Sequence, residues 1–338
     1  MFATFRNWKL LFRDEGRWQP WVIGLFVLMQ GLVIVNAVLH NPEMGYDAED
    51  HLSYMQVLPE RLPSPQDTRE FFSAPLPYFI PGIVDEGCTR IFAQRDPNWV
   101  FEYCRDWGGK TAQGLNVLLS FGVGILMLSL AQRLRPGSWY FKVSTLLLLL
   151  LFTVYYKTFA QVRGEPYVVF FAMWILDVLF KWTDAQSAVG WRQGLGLGAL
   201  VGLLMLSRQW GAMLLPALLL LPLLMLWARR RFDWGLLRTL AVGALGAALI
   251  GGWFYAWLLI RYDTLTAFNL KTPGFSFANQ PYKFYRHTGL QDWELFRVPV
   301  RENFANEFMP IMYSDTWGDY WGYFVFIRNY LPILREMR

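Results

Sequence analysis

The chain has 338 residues, of which 54% are hydrophobic and only 17% are charged. Soluble domains carry about 25% charged residues, so this composition excludes an ordinary soluble protein. The net charge of +5 does not indicate a nucleic-acid partner, because the basic residues lie beside apolar runs, where membrane topology accounts for them. The sequence also lacks a phosphate-binding loop, a dinucleotide fingerprint, a zinc-ligand spacing and a nucleophile elbow, which excludes the enzyme classes that depend on these motifs.

Apolar runs of about 20 residues predict an all-α polytopic membrane protein, which we treat as one domain over residues 1–338. The first run is interpreted as an uncleaved anchor, since it is too long for a signal peptide and lacks a small-residue cleavage site. The run 194–227 would form a helix about 50 Å long, against ~30 Å of hydrocarbon, so we expect it to turn back at Arg208. The seven predicted spans cover about 21–39, 111–131, 143–160, 166–180, 194–207, 210–227 and 239–260.

Short basic segments predict the orientation of these spans. The segments 1–20, 132–142, 181–193 and 228–238 all fall on one side when the spans alternate, and the positive-inside rule assigns that side to the cytoplasm. The opposite, outer side then receives the long loops 40–110 and 261–323 and the turns at Arg163–Glu165 and Arg208. Loop 40–110 contains Cys88 and Cys104, which are either bonded in an oxidising compartment or two free thiols.

An acidic stretch, "NPEMGYDAEDHLSYMQVLPERLP", begins at Asn41 where the first span ends. Gly45 interrupts the span, and Asp47 is a suitable cap for a short helix over 48–58. On that helix, His51 and Tyr54 share one face. Spacing alone leaves two interpretations open: a functional carboxylate at the membrane surface, or a capping aspartate in a solvated loop.

Four motifs carry a resemblance to a known family. They are "YDAEDHLSYMQVLPERLP" followed by "SAPLPYFIPG" at 73–82, "QVRGEPYVVFFAMWILDVLF" around Glu165–Pro166, "GLLMLSRQWGAMLLPALLLL" around Arg208, and "YSDTWGDYWGYF" at 313–324. In order and spacing, they resemble bacterial membrane glycosyltransferases of the C-type superfamily (GT-C), relatives of protein mannosyltransferases and aminoarabinose transferase. The chain departs from the family's pattern in "APLPY", which replaces a "PPLYY"-like segment, and in Gly164, where the family often has Asn. It ends at Arg338, whereas relatives continue through further spans, so we expect a short or truncated member.

The resemblance implies a GT-C-like helical bundle whose two long outer loops carry short interfacial helices. It further implies an inverting transfer of a hexose or pentose from a polyprenyl-phosphate donor to a glycan, lipid or protein acceptor. The reaction would take place on the extracytoplasmic face of the bacterial inner membrane. Apart from the lipid-linked donor no cofactor is assigned. A divalent metal is also not assigned, since one histidine with carboxylates is a weak metal signal.

The resemblance also implies roles for individual residues. Asp47 is expected to be the general base, with Glu49 and Asp50 as alternatives, and Glu165 is the second candidate catalytic residue. Phosphate, sugar or lipid would be bound by the residues His51, Tyr54, Arg163, Arg208, Lys283, Arg286, Trp317 and Asp319.

Simpler interpretations exist for several of these residues. Arg208 can extend to the membrane interface, the charges of loop 261–323 can be solvated, and the late aromatic residues can form an interfacial belt. Asp177, near the end of the fourth span, is interpreted as the partner of Lys181 at an i,i+4 spacing. Two other classes of function remain as alternatives: a lipid or solute transporter, and a non-catalytic membrane scaffold subunit.

Overall fold

The structure is a computed structural model, and its described part consists of helices joined by turns and irregular segments, with no β-strand. It describes residues 3–12, 18–45, 47–185, 190–229, 234–263, 265, 282–286, 294–297 and 307–318. The α-helices are α1 (Ala3–Arg6), α2 (Gln19–Leu39), α3 (Ala48–Val57), α4 (Leu76–Ile91), α5 (Pro97–Leu134), α6 (Trp139–Leu151), α7 (Thr153–Ala160), α8 (Glu165–Ala185), α9 (Trp191–Met205), α10 (Leu214–Arg229), α11 (Trp234–Tyr262), α12 (Tyr282–Arg286), α13 (Glu294–Arg297) and α14 (Phe308–Trp317). Short 3-10 helices cover Trp8–Phe12 and Gln209–Met213.

Three of the described helices, α2, α5 and α11, are long and apolar enough to cross a membrane. The predicted span 143–160 corresponds to two helices, α6 and α7, which meet at an angle of 60° at Phe152. The predicted spans at 194–207 and 210–227 correspond to α9 and α10, which are shorter than these three helices. The predicted span at 166–180 corresponds to α8, which carries several charged residues and is also not among the three. The all-α membrane architecture is therefore supported, while the count of seven spans and their orientation stay predictions.

The chain reverses direction where the sequence predicted it, between α9 and α10. Leu218 of α10 lines a small apolar cavity together with Leu197 and Val201 of α9. In one continuous helix, residues 201 and 218 would lie about 25 Å apart along the axis. Helix α9 ends at Met205, and residues 206–208 form the turn that contains Arg208.

Helices α9 and α11 pack backbone against backbone. A Cβ atom added at Gly198 would lie 2.4 Å from the carbonyl oxygen of Gly243, and one added at Gly194 would lie 2.5 Å from that of Thr239. Gly194, Gly198 and Gly202 recur every four residues and therefore share one face of α9. Small residues at such spacing permit the close helix contacts that replace hydrophobic association within a bilayer.

The region predicted as the outer loop 40–110 is largely helical. Helix α5 begins at Pro97 instead of near residue 111, and Asp96 caps it by accepting hydrogen bonds from the backbone N–H groups of Asn98 (3.1 Å) and Trp99 (3.0 Å). The predicted span 111–131 lies within this longer helix, whose first part, 97–110, carries charged residues among its aromatic ones. A disulfide between Cys88 and Cys104 joins α4 to α5, which resolves the two alternatives for these cysteines.

Asp177 is fully buried and belongs to a polar cluster outside the predicted site. It pairs with Lys181 at 2.5 Å, as predicted, and also accepts hydrogen bonds from Thr4 (2.8 Å) and Ser129 (2.7 Å). The Arg133 guanidinium lies 3.5 Å away. The cluster attaches the N-terminal segment to α5 and α8, a structural role that accounts for this buried carboxylate.

Candidate functional site

Three chain segments meet to form the site: residues 70–76, 161–165 and 206–210. The backbone N–H of Leu76 donates to the carbonyl of Leu206 at 3.0 Å, and the Gln209 side-chain amide donates to the carbonyl of Phe72 at 2.9 Å. Gly164 contacts the chain at Ser207 so closely that a Cβ atom there would lie 2.2 Å from the Ser207 carbonyl oxygen. Glycine is therefore required at position 164 for this approach.

Arg208 is the centre of an ion-pair network. Its Nη1 donates to Oε2 of Glu70 at 2.7 Å and also to Oγ of Ser73, while its Nε donates to Oε1 of Glu165 at 3.2 Å. Ser73 in turn donates to the Glu70 carboxylate. Only 9% of the Arg208 side chain is exposed, so the interface interpretation of this residue is wrong. Burial of the charge is compensated by two carboxylates.

Arg163 completes the network from the other side of Glu165. Its Nε and Nη2 donate to the two carboxylate oxygens of Glu165 at 3.0 and 2.9 Å, in a two-bond arrangement. Burial alone would raise the pKa of Glu165, but Arg163 and Arg208 outweigh burial and lower it to about 2. Glu165 is therefore a fixed anion at neutral pH, which suits charge balance better than proton transfer.

A polar cleft of about 170 Å³ opens over this network. Its described lining consists of Asp47, Glu70, Phe72, Ser73, Arg163, Glu165, Arg208, Gln209 and Trp210. Four of the predicted site residues thus line one cleft: Asp47, Arg163, Glu165 and Arg208.

Asp47 is the exposed carboxylate of this cleft. It occupies the predicted N-cap position of α3 but has a left-handed backbone (φ 52°), and its side chain makes no capping hydrogen bond. The prediction of a capping side chain was therefore wrong. Asp is one of the few non-glycine residues found in this conformation, and such strain concentrates at functional sites. The alternative bases are placed differently, because Asp50 pairs with Arg69 at 2.7 Å and Glu49 is exposed outside the described lining.

His51 and Tyr54 lie behind the cleft instead of lining it. Both are fully buried, and Nδ1 of His51 shares a hydrogen bond of 2.9 Å with the Tyr78 hydroxyl. Nδ1 also lies 3.9 Å from the Glu70 carboxylate. Burial lowers the pKa of His51 to about 3, so the imidazole is neutral at physiological pH. The prediction that these two residues contact substrate directly does not fit this burial.

Within the described part of the chain, the late-loop candidates do not join this cleft. Lys283 lies 3.7 Å from Glu307, and the guanidinium of Arg286 lies 4.3 Å from the centre of the Tyr282 ring. Trp317 packs its ring against Phe152, at the bend between α6 and α7. Asp319 lies outside the described residues.

Sequence reasoning missed Glu70 and Ser73. The motif at 73–82 was interpreted from its prolines, and the acid three residues before Ser73 was not considered. A carboxylate directly preceding the proline-rich segment was the signal that could have identified Glu70. Its partner Arg208 is 138 positions away in sequence, so the pairing itself required the fold.

The described residues contain no group of three or more His, Cys, Asp and Glu side chains arranged to hold a metal ion. Comparison of the chain with protein-family models, with curated proteins and with solved structures finds no match.

Proposed function

We propose that the protein is a membrane glycosyltransferase that moves a sugar from a polyprenyl-phosphate donor to an acceptor hydroxyl at the outer membrane surface. One observation carries the proposal: Asp47, Glu165, Arg163 and Arg208, which come from three distant segments, line the same polar cleft. The resemblance of the sequence motifs to C-type glycosyltransferases supports the same reaction. The bacterial inner membrane, with the cleft on the extracytoplasmic side, is part of the proposal.

In this reaction Asp47 is the general base. Its carboxylate accepts the proton of the acceptor hydroxyl as that oxygen attacks the anomeric carbon, and the bond from the anomeric carbon to the phosphate oxygen breaks with inversion. A positioned carboxylate contributes about 10²–10⁴-fold to such a step. Asp47 suits this role because it is exposed at the cleft, whereas Glu70 and Glu165 are both paired with arginine.

The arginines meet the leaving phosphate. Negative charge grows on the phosphate oxygens as the sugar departs, and fixed guanidinium groups stabilise that charge. Within the described structure, Arg208 uses Nε and Nη1 for its carboxylate and hydroxyl partners, and its Nη2 makes no hydrogen bond. Glu70 and Glu165 hold the Arg208 guanidinium in one orientation before the donor arrives. Phosphate binding therefore does not have to order this side chain.

The cleft is smaller than the ~300–1,000 Å³ pockets that enclose whole drug-sized ligands. It therefore suits a phosphate with part of a sugar, while the polyprenyl chain stays in the bilayer. No nucleotide-binding domain is needed for such a donor.

The proposal is tested with purified protein in lipid nanodiscs, supplied with radiolabelled polyprenyl-phosphate hexoses and pentoses. The expected result is binding of at least one donor, weakened by Arg163→Gln and unaffected by Arg61→Gln. Arg61 is a matched control because it also pairs with a carboxylate, that of Asp67 at 2.7 Å, but lies outside the described lining of the cleft. Addition of acceptor lipids or glycans should then release the label from the donor.

Two results would contradict the proposal. Vectorial movement of a lipid or solute across proteoliposomes without any transfer would favour a transporter. Equal donor binding by wild type, Arg163→Gln and Arg61→Gln would show that the cleft does not bind the phosphate, as expected for a scaffold subunit.

A further inference from the structure

Helices α4 and α5 form a disulfide-closed hairpin whose outer surface is rich in exposed aromatic and aliphatic side chains. Trp99, Tyr103 and Trp107 recur every four residues along α5, with exposed fractions of 44%, 37% and 53%. Their rings contact one another in a row, at 4.6 Å between Trp99 and Tyr103 and 6.3 Å between Tyr103 and Trp107. On α4, the exposed apolar residues are Phe79, Ile80, Ile83 and Ile91.

This aromatic stripe continues the face of α5 that lies within the candidate membrane span. Going down the helix from Trp107 in steps of three or four residues, the same face passes Thr111 and Gly114 and reaches Leu118 and Phe121. Leu118 is 68% exposed and Phe121 is 41% exposed. Apolar residues exposed on a helix that crosses a bilayer face lipid, so the stripe is a direct extension of a lipid-facing surface.

Lys110 attaches this part of α5 to the end of α2. Its ammonium group donates to the carbonyls of Val38 (3.1 Å) and His40 (2.8 Å) at the end of α2, another candidate span. The aromatic residues all lie beyond Lys110, over a segment about 20 Å long. An upright helix of 38 residues would be taller than the ~40–45 Å of a whole bilayer.

We propose that this hairpin lies against the outer lipid headgroup region, and that the stripe Trp99–Tyr103–Trp107 is its membrane-contacting face. Tilt of α5 makes this possible: a 38-residue helix is about 57 Å long, and a tilt of about 40° brings all of it within the ~40–45 Å of a whole bilayer. Trp and Tyr are the residues enriched at that depth. The inference rests on the lipid-facing span and not on the proposed transferase activity.

The balance of acidic and basic residues on the hairpin indicates that its contact with the membrane does not depend on anionic lipid. Between residues 86 and 107 the acids are Glu86, Asp96, Glu102 and Asp106, and the bases are Arg90, Arg95 and Arg105. With no excess of positive charge, attraction to anionic headgroups does not hold the hairpin, and burial of the aromatic surface does.

Anchoring of the hairpin would also fix the depth of the cleft. Helix α3 packs on it through Met55, which contacts Gly82 of α4 with its backbone and Gly108 of α5 with its side chain. Asp47 lies directly before α3. A hairpin held in the headgroup region therefore holds the start of α3 close to the level where lipid phosphates lie.

The test uses spin labels on single introduced cysteines, since the two native cysteines are bonded to each other and do not react. The variants are Tyr103→Cys and Trp107→Cys, with Leu118→Cys as the lipid-facing control and Glu102→Cys as the neighbouring control on a charged, exposed position. Each labelled protein is placed in phosphatidylcholine vesicles with and without phosphatidylglycerol. Collision rates are measured with oxygen, which dissolves in lipid, and with a water-soluble nickel chelate.

The expected result is that labels at 103 and 107 collide often with oxygen and rarely with the chelate, as the label at 118 does. The label at 102 should collide with the chelate more often than these three. The two lipid compositions should give the same values. Labels at 103 and 107 that are as open to the chelate as the one at 102 would overturn the inference. Protection from both reagents would also overturn it, and would indicate that a second copy or another protein covers the stripe.

Discussion

Gly164→Ala should disrupt the site without removing any functional group. The added Cβ would lie 2.2 Å from the Ser207 carbonyl oxygen, whereas ordinary contacts begin at 3.4 Å. The obstacle is backbone, not the end of a flexible side chain, so segments 161–165 and 206–210 must separate. Overpacking of this kind costs about 1–3 kcal/mol of the free energy of unfolding. Separation should also lengthen the 3.2 Å bond from Arg208 to Glu165 and weaken donor binding.

The matched control is Gly114→Ala, at a helical and exposed position where an added Cβ meets nothing within 4 Å. Removing a glycine from a helix interior should stabilise the protein by up to ~1 kcal/mol. Both variants are compared with wild type by the free energy of unfolding in mixed detergent micelles, followed by far-ultraviolet circular dichroism. A Gly164→Ala protein as stable as Gly114→Ala would refute the close approach of these segments.

Three further outcomes follow from the same structure. Arg208→Gln leaves the two carboxylates of its network without their shared cation and should cost about 3–5 kcal/mol of unfolding free energy in the same assay. The lowered pKa of His51 means that only the unfolded chain takes up this proton as the pH falls below 6.5. Stability should therefore decrease by up to about 1.4 kcal/mol per pH unit towards the folded pKa of about 3, and His51→Gln should remove that component of the slope. Gly198→Leu should destabilise the contact with Gly243 strongly, whereas Gly31→Ala, in a helix interior with nothing near its added Cβ, should raise stability by up to ~1 kcal/mol, as expected for Gly114→Ala; thermal unfolding of the two variants distinguishes them.

Local signals in the sequence predicted the elements that position the site. The length of the apolar run 194–227 predicted a reversal at Arg208, and the acid followed by proline at Glu165–Pro166 predicted the start of α8. The helix predicted over 48–58 is present as α3. Each of these signals depends on residues a few positions apart, where helix geometry and turn chemistry act.

Features that depend on long-range packing were not predictable in this way. The bond of Arg208 to Glu70 joins residues 138 positions apart, and no periodicity encodes it. The burial of His51 results from the packing of Tyr78 and Glu70 around it, which the pattern of α3 alone does not contain. The bend at Phe152 was likewise hidden, because leucine-rich sequence on the α6 side conceals a helix break.

The disulfide shows the limit most clearly. Two cysteines in one loop left the bonded and free states open, and only the antiparallel placement of α4 and α5 brings Cys88 and Cys104 to a Cα separation of 5.4 Å. The glycine at 164 is a second example. The need for glycine at this position became apparent only from the neighbouring chain at Ser207.

The role of Asp47 as the base is tested most directly by single-turnover transfer from a labelled polyprenyl-phosphate sugar, comparing Asp47→Asn with Glu49→Gln. Both changes remove an exposed carboxylate at the start of α3, but only Asp47 belongs to the described lining of the cleft. We predict that Asp47→Asn binds donor as wild type does and transfers about 10²–10⁴-fold more slowly, with Glu49→Gln unchanged. Transfer by folded Asp47→Asn at the wild-type rate would contradict the account.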